Sequence, residues 1–118
     1  SLDEVFKKAD IISIHTPLTE ETYHMVDDAK IALMKDGSFL FNFGRGGIVC
    51  EDALYDALKS GKLAGAGFDV LEEEPPKADH KLYSLDNFTI TPHIGAGTVE
   101  AQIFIAEDLA ERIIAKLK

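Results

Sequence analysis

The stretch from Ser38 to Val70 reads SFLFNFGRGGIVCEDALYDALKSGKLAGAGFDV, and the order of its parts decides the fold. Ser38–Phe43 and Ala64–Val70 are short, near-continuous apolar runs, the pattern of strands buried on both faces of a parallel sheet. Between them, residues 51–60 open with Glu51 and Asp52, which favour a helix N-terminus. They place Leu54 and Leu58 four residues apart and stop at Gly61. Strand, helix and strand in that order make a βαβ unit with a right-handed crossover.

The same alternation extends in both directions. Upstream, Asp10–His15 is a further apolar run. It follows residues 2–8, which carry Leu2, Val5 and Phe6 on one helical face behind Asp3 and Glu4. Residues 27–35 open with Asp27 and Asp28, turn Ile31 and Met34 inward and end at Gly37. Downstream, Phe88–Thr91 supplies a fourth strand. A long amphipathic helix then runs from Thr98 to Lys118, with Val99, Ile103, Ala106, Ala110, Ile113 and Leu117 along one stripe. The predicted architecture is one α/β unit with four parallel strands. The exception is the link from Leu71 to Asn87, rich in Glu, Pro and Asp, which is predicted to lack clear regular structure, and links of that length are usually functional or mobile.

Composition narrows the chemistry. The chain has 118 residues and a net charge of −9, which argues against nucleic acid or an anionic membrane as partner. No stretch approaches the roughly 18–20 apolar residues of a membrane span. Cys50 is the single cysteine, so no internal disulfide is expected and a reducing, cytoplasmic setting fits. An acidic N-terminus beginning at Ser1 rather than Met implies no signal peptide, and suggests a segment of something longer.

In open α/β sheets, ligands bind beyond the carboxyl ends of the strands. The four ends here carry His15-Thr16-Pro17-Leu18-Thr19, then Asn42-Phe43-Gly44-Arg45-Gly46-Gly47, then Asp69 with Glu72-Glu73-Glu74-Pro75, and last Thr91-Pro92-His93-Ile94-Gly95. Each residue has a plain structural reading. Arg45 fits a surface turn, His93 a loop histidine, Glu72–Glu74 a solvated acidic loop and Asp69 a turn cap. Cys50 fits a small buried side chain, and Gly65 and Gly67 fit close strand packing. Against those readings stands their distribution: a base, carboxylates and an arginine all fall on one edge of the sheet.

In order and spacing, these four segments resemble the second half of the NAD-binding domain of D-isomer-specific 2-hydroxyacid dehydrogenases. Thr98 and Glu100-Ala101-Gln102 are most similar to the phosphoglycerate dehydrogenase branch. The resemblance implies half of a Rossmann-type domain spanning residues 1–118, with strands in sequential order, helices on both faces, NAD as cofactor and a small 2-hydroxy acid as substrate. In the intact parent that substrate would be 3-phosphoglycerate, oxidised at its 2-hydroxyl in serine biosynthesis. Glyoxylate, hydroxypyruvate or D-lactate dehydrogenase remain alternatives, as do an NAD-sensing interaction protein and a non-catalytic folding module. On this resemblance His93 is the general acid/base, suited by an imidazole that titrates near neutrality. Glu74 binds its other ring nitrogen and fixes the tautomer. Arg45 grips the substrate carboxylate with a planar fork that lysine lacks, and Asp69 holds the nicotinamide carboxamide. His15, Thr16, Pro17, Phe43, Gly44, Arg45, His93 and Gly95 border the cofactor; no residue is assigned to a metal.

One family hallmark is missing. Gly44, Gly65 and Gly95 each begin a Gly-x-Gly, but Val49, Val70 and Glu100 stand where the last glycine of Gly-x-Gly-x-x-Gly belongs, so no phosphate cradle is present. The chain alone is therefore expected to show negligible dehydrogenase activity and weak NAD binding. The Ile-rich strand Asp10–His15 should lie at a bare sheet edge. Self-association through that edge or through the C-terminal helix is expected.

Overall fold

The computed structural model describes residues 1–95 and 97–117. Helices α1 (Leu2–Lys8), α2 (Asp28–Leu33), α3 (Glu51–Ser60) and α4 (Val99–Leu117) alternate with strands β1 (Ile11–Ile14), β2 (Ser38–Asn42), β3 (Leu63–Phe68) and β4 (Phe88–Ile90). All neighbouring strands pair in parallel, in the order β1-β2-β3-β4. The α/β reading and the sequential strand order thus hold. β3 begins one residue before the expected Ala64 and ends at Phe68, which places Asp69 in the loop beyond the sheet. Lys118, the expected last residue of α4, lies outside the described residues.

Capping explains the starts of α1 and α2. The Ser1 hydroxyl accepts from the Glu4 amide, and the Asp27 carboxylate accepts from the Lys30 amide, each satisfying one of the otherwise unpaired N–H groups of a first turn. The core lies on one face of the sheet. Ile12, Ile14, Leu40, Ala66 and Phe68 from the strands meet Phe6 of α1, Ile31 of α2 and Leu54 of α3. Met34 and Leu58 are buried as expected, whereas Leu2 and Val5 of α1 are exposed.

The other face corrects two expectations. The strands are not buried on both sides: along β1, Ile12 and Ile14 are covered while Ile11 and Ser13 are exposed. Phe39 is exposed as well, and the uncovered face is partly roofed by its own aromatic rings. A β-carbon on Gly65 would lie 3.2 Å from ring carbons of Phe39, and one on Gly67 would lie 2.8 Å from the Phe41 ring. The helices, too, cover one face only, since α4 buries none of its residues. Its apolar stripe is present but exposed.

The link from Leu71 to Asn87 is more ordered than its composition suggests. Lys81–Ser84 form a 3-10 helix whose Leu82 is fully buried. Leu82, together with buried Leu71 and half-buried Leu85, fastens the acidic segment to the core.

Candidate active site

The loop after β2 is held from within by Asn42, whose side chain is almost fully buried. Its carbonyl oxygen accepts from the Gly44 amide at 3.0 Å, and its amide donates to the Arg45 carbonyl at 3.1 Å. The Arg45 guanidinium donates through Nη1 to the Gly44 carbonyl at 2.8 Å. That bond holds one terminal nitrogen of the guanidinium against the loop backbone. Asn42 was not singled out from sequence, where it reads as one polar residue inside an apolar run.

Beyond β3, Asp69 is 3% exposed, yet both carboxylate oxygens are used. Oδ1 accepts from the Thr91 hydroxyl and from the Ile94 amide at 2.8 Å, and Oδ2 accepts from the Gly95 amide at 2.8 Å. Burial pushes this carboxyl up. The hydrogen bonds from Thr91, Ile94 and Gly95, with His93 nearby, pull the other way and leave it below the usual aspartate range. The backbone these bonds enclose is tightly turned. His93 has φ of 59°, and its amide donates to the Thr91 carbonyl at 2.9 Å.

His93 faces Glu74, with Nδ1 and Oε2 2.8 Å apart. Glu74 is itself oriented, because its Oε1 accepts from the Leu71 amide at 3.2 Å. Both side chains remain partly exposed, so the pair can reach a ligand in water. At the end of β1, His15 Nε2 lies 2.8 Å from the Ser13 hydroxyl. Its ring stacks on Phe43 at 5.6 Å, and Phe43 stacks on Phe41 at 6.3 Å.

Two adjoining clefts gather the residues singled out from sequence. One of about 630 Å³ includes Thr16, Pro17, Gly44 and Glu74, and one of about 710 Å³ includes Asp69 and Gly95. His15, Phe43, Arg45 and His93 line both. Glu72 is exposed in its loop, as the plain reading has it, but it is also engaged. Glu72 pairs with His24 at 2.7 Å, and its amide donates to Glu51, which also holds His80 at 2.8 Å. These contacts brace the segment that carries Glu74. Among the described residues no cluster of His, Cys, Asp and Glu is arranged to hold a metal ion.

An imidazole backed by a carboxylate, beside an arginine at the carboxyl edge of a parallel sheet, can move a proton on an anionic substrate. Residues 1–95 match the family model described as "D-isomer specific 2-hydroxyacid dehydrogenase, NAD binding domain". The chain belongs to the D-isomer-specific 2-hydroxyacid dehydrogenase family. A hydroxypyruvate reductase of Thermotoga maritima is 50% identical over 98% of this chain and 39% of that protein. A D-3-phosphoglycerate dehydrogenase of Methanocaldococcus jannaschii is 49% identical over 95% of this chain and 21% of that protein. The crystal structure of a D-lactate dehydrogenase from Aquifex aeolicus, complexed with NAD and lactic acid, superposes with a TM-score of 0.82 at 41% identity. It covers 99% of this chain and 40% of that one. The chain thus spans well under half the length of these 2-hydroxyacid dehydrogenases. NAD is the cofactor of the family model itself.

Proposed function

We propose that the clefts form the acid–base and carboxylate-gripping edge of an NAD-dependent oxidoreductase acting on D-2-hydroxy acids, and that residues 1–118 are the C-terminal half of its NAD-binding domain. The observation that carries this is the 2.8 Å pairing of His93 Nδ1 with Glu74 in a cleft shared with Arg45. With Nδ1–H donating to the carboxylate, Nε2 is the nitrogen left to take the proton of the substrate 2-hydroxyl, or to return it in the reductive direction. Arg45 orients the substrate by paired hydrogen bonds to its carboxylate.

The donor set fits the nicotinamide end of the cofactor. A carboxylate offers about four acceptor positions, and Asp69 has three donors on it. One position on Oδ2 is left for a carboxamide N–H. His15, Thr16, Pro17, Phe43, Gly44 and Gly95 border the same space. When bound, NAD supplies the hydride chemistry, while these residues orient and protonate.

For the substrate, we favour a short 2-oxo acid such as hydroxypyruvate or glyoxylate over the 3-phosphoglycerate suggested by Thr98 and Glu100-Ala101-Gln102. Arg45 is the single Arg or Lys among the residues lining the two clefts, and Glu72 and Glu74 stand beside it. A phosphate dianion would meet net repulsion there. The phosphoglycerate reading requires basic groups supplied from outside these residues. The proposal also includes a cytoplasmic setting, supported by the free Cys50. It further includes self-association, supported by β1, which pairs on one side only and leaves Ile11 62% exposed.

Two measurements test the reading. Turnover of the longer polypeptide carrying these residues, with NADH and hydroxypyruvate, glyoxylate or 3-phosphohydroxypyruvate, is expected to favour the first two. Absence of turnover with all three overturns the activity, and a preference for the phosphorylated acid overturns the substrate. Calorimetric titration of the 118-residue chain with NAD is expected to give no saturation in the micromolar range. A micromolar Kd overturns the half-domain reading.

A further inference from the structure

We propose that Thr91 and Asp69 form a latch between the ends of β4 and β3 that sets the backbone turn of His93, which makes Thr91 a positioning residue for the acid–base histidine. The inference rests on the reading of His93 as that histidine, and it adds a residue which that reading does not use. His93 adopts a left-handed backbone with φ of 59°, a conformation that side chains other than glycine seldom take without support. Its own side chain gives none, since Nδ1 is engaged with Glu74. The support comes from either side in sequence. Thr91, two residues before, donates its hydroxyl to Asp69, and the amides of Ile94 and Gly95, directly after, donate to the same carboxylate.

Three donors from a five-residue stretch thus converge on one buried anion, with His93 at the apex of the turn between them. Both ends of the latch are strand ends. The Thr91 amide donates to the Phe68 carbonyl at 2.9 Å, and the Asp69 amide donates to the Asn42 carbonyl at 3.0 Å. The turn therefore inherits the rigidity of the sheet. Glu74 reaches His93 from the opposite side, braced by the Leu71 amide. Because the Cα–Cβ direction depends on φ, relaxing His93 to a right-handed backbone would swing its ring out of line with Glu74. Of the three donors, the Thr91 hydroxyl is the side-chain one, and so the one that substitution can remove without breaking the backbone.

The test compares Thr91→Val, which keeps the shape and removes the donor, with Thr91→Ser, which keeps the donor. In the 118-residue chain, NMR reads the HN–Hα coupling of His93 and the hydrogen-bonded Nδ1 proton of its ring. Both signatures should be present in the wild type and in Thr91→Ser, and lost in Thr91→Val. In the longer active polypeptide, Thr91→Val should lower kcat by about 10- to 100-fold, the scale of an ångström-sized misplacement. KM should stay within about twofold and the pH profile of kcat should move, while Thr91→Ser restores both rate and profile.

If Thr91→Val does not fold, Gly95→Ala perturbs the latch from its other end, since its β-carbon would lie 3.1 Å from Asp69 Oδ2. It should shift the same His93 signals. Unchanged coupling and an unchanged Nδ1 proton in a folded Thr91→Val, or in a folded Gly95→Ala, overturn the latch. A wild-type polypeptide with the NMR signatures but no turnover overturns the proposed function and leaves the latch standing.

Discussion

A β-carbon added to Gly46 would lie 1.9 Å from the carbonyl oxygen of Leu71, so the loop after β2 and the chain leaving β3 are in direct backbone contact. That contact sets the spacing between Arg45, one residue before Gly46, and Glu74, whose Oε1 accepts from the Leu71 amide. Gly46→Ala should force the two backbones apart, because no flexible side-chain tip can yield. We expect a loss of about 2–3 kcal/mol, read from chemical denaturation by circular dichroism. A variant within about 0.5 kcal/mol of wild type, the range of neutral surface changes, would refute the close approach.

Asn42 offers a complementary test. Asn42→Ala removes the acceptor of the Gly44 amide and the donor to the Arg45 carbonyl, leaving backbone groups unpaired next to a new void. The cost should be about 1–3 kcal/mol, with a larger effect on Arg45 than on the core. The measurable signs are a lower denaturation midpoint and broadened amide signals confined to residues 43–46. Sharp, wild-type signals there would show that the loop is held by something else.

Acid should open the His93 turn. The Asp69 carboxyl sits below its ordinary range in the folded chain, so the folded state holds this proton less tightly than the unfolded one. Its contribution to stability is therefore full above the ordinary aspartate value of about 4, and is lost as pH falls through the lower folded value. The amide signals of Ile94 and Gly95 should move together in that acid window. Amides that stay fixed until the whole chain unfolds would contradict the assignment.

Self-association through β1 has its own variant. Ile11 is exposed on a strand with one neighbour, and a charge there blunts edge pairing. Sedimentation at high protein concentration should show a larger species for wild type than for Ile11→Lys. A wild-type chain that stays monomeric would remove this part of the proposal.

The strands and α3 were legible because apolar runs and terminal signals agree at each of them, from Glu51 at one end of α3 to Gly61 at the other. The covering of the sheet was not. Ile11, Phe39 and Phe41 are as apolar as Ile12 and Leu40, and composition records that a residue avoids water, not whether a neighbour covers it. The 3-10 helix escaped notice because Leu82 and Leu85 lie in a short, mostly polar stretch, too brief a signal for any periodicity. At the site, the gathering of Arg45, Glu74 and His93 on one edge could be read from their places beyond the strands, while the roles given to them came from the family resemblance. Thr91 and Asn42 could not be read, because their partners, the Asp69 carboxylate for one and the Gly44 and Arg45 backbone for the other, are set by the fold and leave no pattern in the sequence. The His24–Glu72 pair joins residues 48 apart in sequence, and only the fold brings them together.

The unburied state of α4 determines how that segment keeps its shape. Its 19 residues bury no side chain, so little apolar packing reinforces its hydrogen bonds. A lone helix of this length in water is governed by its own helix–coil balance, with nucleation costly and ends fraying. Deuterium uptake should therefore divide the chain into two clocks: slow for the strands and α3, set by global unfolding, and fast along Val99–Leu117, set by local melting. A surface that seats Ile103, Leu109 and Ile113 would bring the second clock into step with the first.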